Sequence, residues 1–65
     1  MKITTWKARY DRDISLRQLE ELTGISKSTL NNIENGKTDP TIGQLEKIAF
    51  ALEVKIMDLV ISDYL

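Results

Sequence analysis

Apolar side chains recur every three or four residues along most of this 65-residue chain, which is the period of an amphipathic helix. The first such stretch contains Ile3, Trp6, Tyr10 and Ile14. It predicts a helix with an aromatic inner face and with Trp6 in the core.

A second helix is predicted to begin after Ser15. Ser15 and Gln18 have the spacing of a capping box, in which each side chain bonds to the backbone N–H of the other residue. One face of this helix contains Leu16, Leu19, Leu22 and Thr23. Gly24 follows, and because glycine takes a positive φ without steric cost, the chain is predicted to turn there.

A third helix is predicted after Ser26, which is a second N-cap residue, and Asn35-Gly36 is a typical helix end. Leu30 and Ile33 lie on its inner face. The other side contains Lys27, Ser28, Asn31 and Asn32. A solvated helix would normally have Glu and Lys there, whereas these side chains suit hydrogen bonds with base edges and phosphates. The outer face of this helix therefore indicates binding to nucleic acid.

A fourth helix is predicted to begin at Pro40-Thr41, where Thr41 and Gln44 form another capping box. Its inner face contains Ile42, Leu45, Ile48, Ala49 and Leu52. Phe50 lies off that face, so we expect it to be exposed or covered by another element.

The last stretch, about residues 55–65, is predicted to be a helix that is apolar on two faces. One face contains Ile56, Leu59 and Val60, and the other contains Met57, Ile61 and Tyr64. A domain this small can cover only one of them, so we expect a second copy to cover the other in a homodimer whose interface contains Phe50, Met57, Ile61 and Tyr64.

Composition removes several classes of function. The chain has neither Cys nor His, which argues against a zinc site, a catalytic triad and disulfides. No phosphate-binding loop or nucleophile–base pair is visible, so we expect neither an enzyme nor a cofactor or small-molecule ligand. The net charge of −1 is low for a nucleic-acid binder, although the acidic excess lies after Gly36. We see no membrane span or signal peptide and expect a cytoplasmic protein.

The stretch ISLRQLEELTGISKSTLNNIENGKTDPT resembles the helix-turn-helix of the phage-repressor family, the Cro and lambda-repressor-like or Xre-type regulators. Its most specific piece is GISKSTLNNIENGK, and the likeness extends more weakly from Lys2 to Val60. The resemblance implies an all-α fold: a single domain over residues 1–65, a compact bundle of about five short helices with the motif at residues 15–36. Glu20 departs from the family, which usually has a small residue there, and we expect it at the edge of the helix in solvent.

The same resemblance implies a sequence-specific DNA-binding transcriptional regulator, of the small phage- or prophage-repressor type, which inserts its second motif helix in the major groove as a dimer on a two-fold related operator. By the family's positions, base contacts fall to Lys27, Ser28 and Asn32. Phosphate contacts fall to Ser15, Arg17, Thr29, Asn35 and Lys37. Arg9 and Glu34 match a pair that ties the recognition helix to the domain body.

A second interpretation is a protein-interaction module, such as an antitoxin or antirepressor partner, that uses this fold to bind another protein. The low net charge and the apolar last stretch favour it. Salt dependence distinguishes the two, because DNA binding weakens with salt in proportion to the phosphates contacted.

Overall fold

Four α-helices form the body of the domain in the computed structural model, which describes residues 2–61 and the side chains of residues 3–60. They are α1 (Thr5–Asp11), α2 (Leu16–Thr23), α3 (Lys27–Glu34) and α4 (Ile42–Leu52). A 3₁₀ turn at Ile56–Asp58 follows, and two-residue strands at Lys2–Ile3 (β1) and Val60–Ile61 (β2) pair with each other. The all-α fold class is confirmed. No helix within residues 2–61 is long and apolar enough to cross a membrane.

The helix starts lie where the capping residues predicted them. Ser15 Oγ accepts the Gln18 N–H at 3.1 Å, and Gln18 Oε1 accepts the Ser15 N–H at 2.8 Å. Thr41 and Gln44 make the same reciprocal pair at the start of α4. Gly24 has a φ of 74°, which is the left-handed conformation that the turn between α2 and α3 requires.

The core lies between α2, α3 and α4 and includes one residue after the 3₁₀ turn. Its buried members are Leu19, Ile25, Leu30, Ile33, Leu45, Ile48, Ala49, Leu52 and Leu59. Two residues predicted on inner faces are instead exposed, Leu22 at 60 % and Ile42 at 65 %. Leu22 lies in the last turn of α2 and Ile42 is the first residue of α4, so both are at helix ends.

The predicted aromatic inner face of α1 is wrong. Trp6 is 46 % exposed and Tyr10 is 67 % exposed, and their rings contact each other edge to face at the surface. The inward face instead contains buried Thr5 and the half-buried Ala8 and Arg9. Because Arg9 turns inward to reach Glu34, its neighbours Trp6 and Tyr10 lie further round the helix, toward solvent.

The prediction of a helix over about residues 55–65 is also wrong for residues 55–61, the part of this stretch that the structure describes. Helical structure there is limited to the 3₁₀ turn, and the chain then extends into β2, which pairs antiparallel with β1. The Thr4 N–H donates to the Leu59 carbonyl at 2.7 Å, so beyond the 3₁₀ turn the backbone of this stretch bonds to the start of the chain. The Ile61 side chain and Tyr64 lie outside the described residues.

Candidate nucleic-acid interface

The turn between α2 and α3 is held by side chains as well as by Gly24. Thr23 Oγ1 donates to the Leu19 carbonyl at 2.7 Å and accepts the Ile25 N–H at 3.1 Å. Ile25 is buried in the core, so packing of its side chain also holds the turn in place. These bonds set the direction in which α3 leaves the turn.

The outward side of α3 contains the three predicted base-contacting residues. Lys27 and Ser28 are exposed in its first turn, and Asn32 is half-buried four residues after Ser28, on the same face. On the opposite side Leu30 and Ile33 are almost completely buried. The structure therefore places Lys27, Ser28 and Asn32 on one exposed face of a helix whose other face is fixed in the core.

The predicted phosphate-contacting residues lie around this face, at both ends of the motif. Ser15, Arg17, Asn35 and Lys37 are exposed. Thr29 is half-buried, and its hydroxyl accepts a hydrogen bond from Ser26 Oγ at 2.9 Å. The Lys37 N–H donates to the Asn32 carbonyl at 2.9 Å, which ties the loop after α3 to the end of that helix.

Arg9 and Glu34 form a bidentate ion pair between α1 and the last residue of α3. Arg9 Nε and Nη2 each donate to a different carboxylate oxygen of Glu34 at 2.9 Å, and Arg9 Nη1 donates to the Ile14 carbonyl at 3.0 Å. The Arg9 guanidinium also lies 5.1 Å from the centre of the Tyr10 ring. The hydrogen bonds to Glu34 raise the pKa of Arg9, so the ion pair favours the charged form of the guanidinium. The pair anchors the C-terminal end of α3 to the domain.

Glu20 makes a contact that its position in the sequence did not predict. Its side chain is half-buried, and Glu20 Oε2 accepts the Lys27 N–H at 3.0 Å across the turn. Its expected position in solvent is thus only partly correct. One pattern in the sequence could have predicted this contact. Glu20 is a carboxylate in the last turn of α2, and only three residues separate that helix from the start of α3, where the first N–H groups lack partners within the helix.

Comparison with known proteins supports the interpretation of α2 and α3 as a DNA-binding helix-turn-helix. A helix-turn-helix family model, HTH_3, matches residues 7–59. The chain belongs to this family. As an HTH_3 protein of the Xre and Cro/cI type, it contains the DNA-binding domain of a helix-turn-helix transcriptional regulator.

Two relatives of this HTH_3 domain are informative. The chain is 41 % identical over 54 residues to the HTH-type transcriptional regulator SutR of Escherichia coli (strain K12). That match covers 83 % of the chain and 30 % of SutR, so the chain spans less than a third of that relative's length. The N-terminal DNA-binding domain of SinR from Bacillus subtilis superposes with a TM-score of 0.81 at 31 % identity, covering 94 % of this chain and 90 % of that domain.

Proposed function

We propose that this protein is a sequence-specific transcriptional repressor that inserts α3 in the major groove of an operator. The observation that carries the proposal is the exposed face of α3, formed by Lys27, Ser28 and Asn32 on a helix that is fixed at both ends. A rigid helix with short polar and cationic side chains on its free face suits hydrogen bonding to base edges. Such a regulator acts by occupancy and not by catalysis.

The three residues on this face have different roles in the proposal. Lys27 would donate to guanine O6 or N7, Asn32 would form a bidentate pair with adenine N6 and N7, and Ser28 suits either base. Asn32 is half-buried, and the backbone around it is fixed because its carbonyl accepts the Lys37 N–H. A bidentate contact needs this kind of fixed geometry.

The phosphate contacts would set the register of the protein on the duplex. Arg17 and Lys37 are exposed cations near opposite ends of the motif, and the polar side chains of Ser15, Thr29 and Asn35 lie between or beside them. Contacts of this kind orient the helix without specifying sequence. Two neutralised phosphates per subunit, doubled in a dimer, predict a log–log salt slope of about −4.

We propose further that two subunits pair through Phe50 and Met57, whereas the other two residues expected at this interface, Ile61 and Tyr64, have side chains outside the described part of the chain. Phe50 is 87 % exposed and Met57 is 66 % exposed, which is unusual for such large apolar side chains. A two-fold dimer would cover the same patch on both subunits and could place two recognition helices about 34 Å apart, one turn of DNA. We also propose that occupancy of the operator represses transcription and that the protein is a cytoplasmic regulator of the phage- or prophage-repressor type.

The test is selection of bound sites from random duplex DNA, followed by affinity measurements on the selected and a scrambled duplex over a range of salt. We expect a two-fold symmetric site, at least about 1,000-fold preference over the scrambled duplex, and the salt slope given above. Failure to enrich any sequence would contradict the proposal.

A second function, binding to another protein, is favoured by one observation. Phe50 and Leu22 are both largely exposed, and they line the same shallow pocket together with Thr23, Glu46 and Lys47. In that case the domain would bind its partner with little response to salt, and the selection experiment would enrich nothing.

A further inference from the structure

The carboxylate of Glu20 spans the turn and binds the first residue of α3. Lys27 is that first residue, so its N–H has no partner within the helix, and Glu20 Oε2 accepts it at 3.0 Å. The Thr29 N–H is accepted by Ser26 Oγ at 3.2 Å. Two of the first three N–H groups of α3 are therefore bound, one by its own cap residue and the other by the preceding helix.

This contact bears on recognition because Lys27 is both the residue held by Glu20 and the first residue of the exposed face of α3. The turn between the helices contains Gly24, whose backbone has more freedom than that of any other residue type. Thr23 fixes the middle of that turn at Ile25, and Glu20 fixes its end at Lys27. A hydrogen bond to a carboxylate is stronger than one between neutral groups, so it is suited to keep the helix start in place.

We propose that Glu20 is a positioning residue for Lys27, and that it determines which base pair the start of α3 contacts. The proposal rests on the DNA-binding function proposed above. A base contact discriminates well only when its side chain is held within a fraction of an ångström of the productive geometry. Without Glu20, Lys27 keeps its charge and its chemistry but loses the fixed backbone from which it extends.

The charge of Glu20 adds a second effect. The start of a helix attracts phosphate, since its free N–H groups and its dipole both favour an anion there. In this protein a carboxylate already occupies one of those N–H groups. A DNA phosphate is therefore disfavoured at the Lys27 N–H, which leaves the Lys27 side chain for bases and lowers binding to non-operator DNA.

Two substitutions separate position from charge. In Glu20→Gln the amide oxygen can still accept the Lys27 N–H, but the negative charge is lost. In Glu20→Ala the hydrogen-bond acceptor and the negative charge are both lost. Glu21→Gln is the matched control, since Glu21 is exposed and adjacent and this change alters the net charge by the same amount.

The first measurement is hydrogen exchange of the Lys27 amide in the free protein. We expect Glu20→Ala to speed this exchange roughly tenfold, and Glu20→Gln and the control to leave it near the wild-type rate. An unchanged rate in Glu20→Ala overturns the positioning role whatever the protein does with DNA.

The second measurement is the ratio of affinities for the selected operator and for operators changed at the base pair assigned to Lys27. We expect Glu20→Ala to lower this ratio about tenfold, whereas Glu20→Gln keeps it and binds scrambled DNA several-fold more tightly. In a Lys27→Ala background, Glu20→Ala should change the ratio less than about twofold, because the residue it positions is absent.

An equal loss of affinity on every duplex, in both backgrounds, would mean that Glu20 only stabilises the fold, and it would overturn the proposal. A wild-type protein that selects no sequence overturns the proposed function and the positioning role together. Unchanged exchange in Glu20→Ala with normal sequence selection overturns the positioning role alone, so the two failures are distinguishable.

Discussion

Removing either partner of the Arg9–Glu34 ion pair should destabilise the domain severely, because the other partner is left as an unpaired charge that water barely reaches. Their side chains are 14 % and 9 % exposed. Deleting one member of a buried pair costs about 3–5 kcal/mol, and the remaining exposure favours the lower end, about 3 kcal/mol. A domain of 65 residues has a free energy of unfolding of about 3–10 kcal/mol, so either change removes a large part of it.

The two single substitutions should not be equal. Arg9 also donates to the Ile14 carbonyl at 3.0 Å, a bond that Glu34→Ala leaves intact and Arg9→Ala removes. One such hydrogen bond contributes about 1 kcal/mol, so we expect Arg9→Ala to be the more damaging change by about that amount. Once one partner is absent the second substitution should cost little, which gives a coupling energy of about 2–3 kcal/mol.

Urea denaturation of the wild type, both single variants and the double variant, followed by circular dichroism, measures this coupling. The same sulfate concentration in all four samples keeps the single variants folded enough to compare. Arg12→Ala is the control, since Arg12 is an exposed arginine of the same region that donates to the Ala8 carbonyl and forms no ion pair within the described residues, and it should change stability by about 1 kcal/mol or less. Additivity of the single effects within about 0.5 kcal/mol would refute the reasoning.

Three further predictions concern the recognition face, the dimer and the turn. Asn32→Ala should lower the free energy of binding by about 1–3 kcal/mol at one operator position and relax the base preference there, whereas Lys37→Ala should weaken binding to all duplexes alike and reduce the salt slope by about one. A uniform loss of affinity in both variants would contradict the assignment of Asn32 to a base contact. Phe50→Glu should give a folded monomer with much weaker operator binding in sedimentation and binding assays, and a wild type that sediments as a monomer well above the concentration that saturates DNA excludes a preformed dimer. Gly24→Ala should lower the free energy of unfolding by about 1 kcal/mol in urea through backbone strain alone, since no atom beyond the two adjacent residues lies within 4 Å of the added methyl group; a neutral result would mean that the turn relaxes.

Local chemistry accounts for the parts of the fold that the sequence predicted well. Ser15 with Gln18, and Thr41 with Gln44, sit three residues apart and form their capping boxes without help from the rest of the chain. Gly24 likewise turns the chain because of its own conformational freedom. The candidate site was predictable to the same extent, since its face depends on the period of one helix and the burial of its other side.

The errors lie where distant residues decide the outcome. Apolar spacing assigned Trp6 and Tyr10 to the core, but the ion pair of Arg9 with a residue 25 positions later rotates α1 the other way. Helical spacing also fitted the last stretch, where pairing between β2 and β1 prevails because it satisfies backbone groups at the start of the chain. The contact of Glu20 with Lys27 was missed because it depends on the angle between two helices, which periodicity does not give.

The pairing of β1 with β2 has a consequence for the order of folding. Ile3 faces Val60 in the antiparallel ladder, and the adjacent Thr4 N–H donates to the Leu59 carbonyl. Closing the loop between Ile3 and Val60 costs about 3.5 kcal/mol of chain entropy, whereas α2 and α3 meet across a short turn. We therefore expect α2 and α3 to associate early in folding, and β1 to pair with β2 only after the helices have packed. The strand pair completes folding and does not start it.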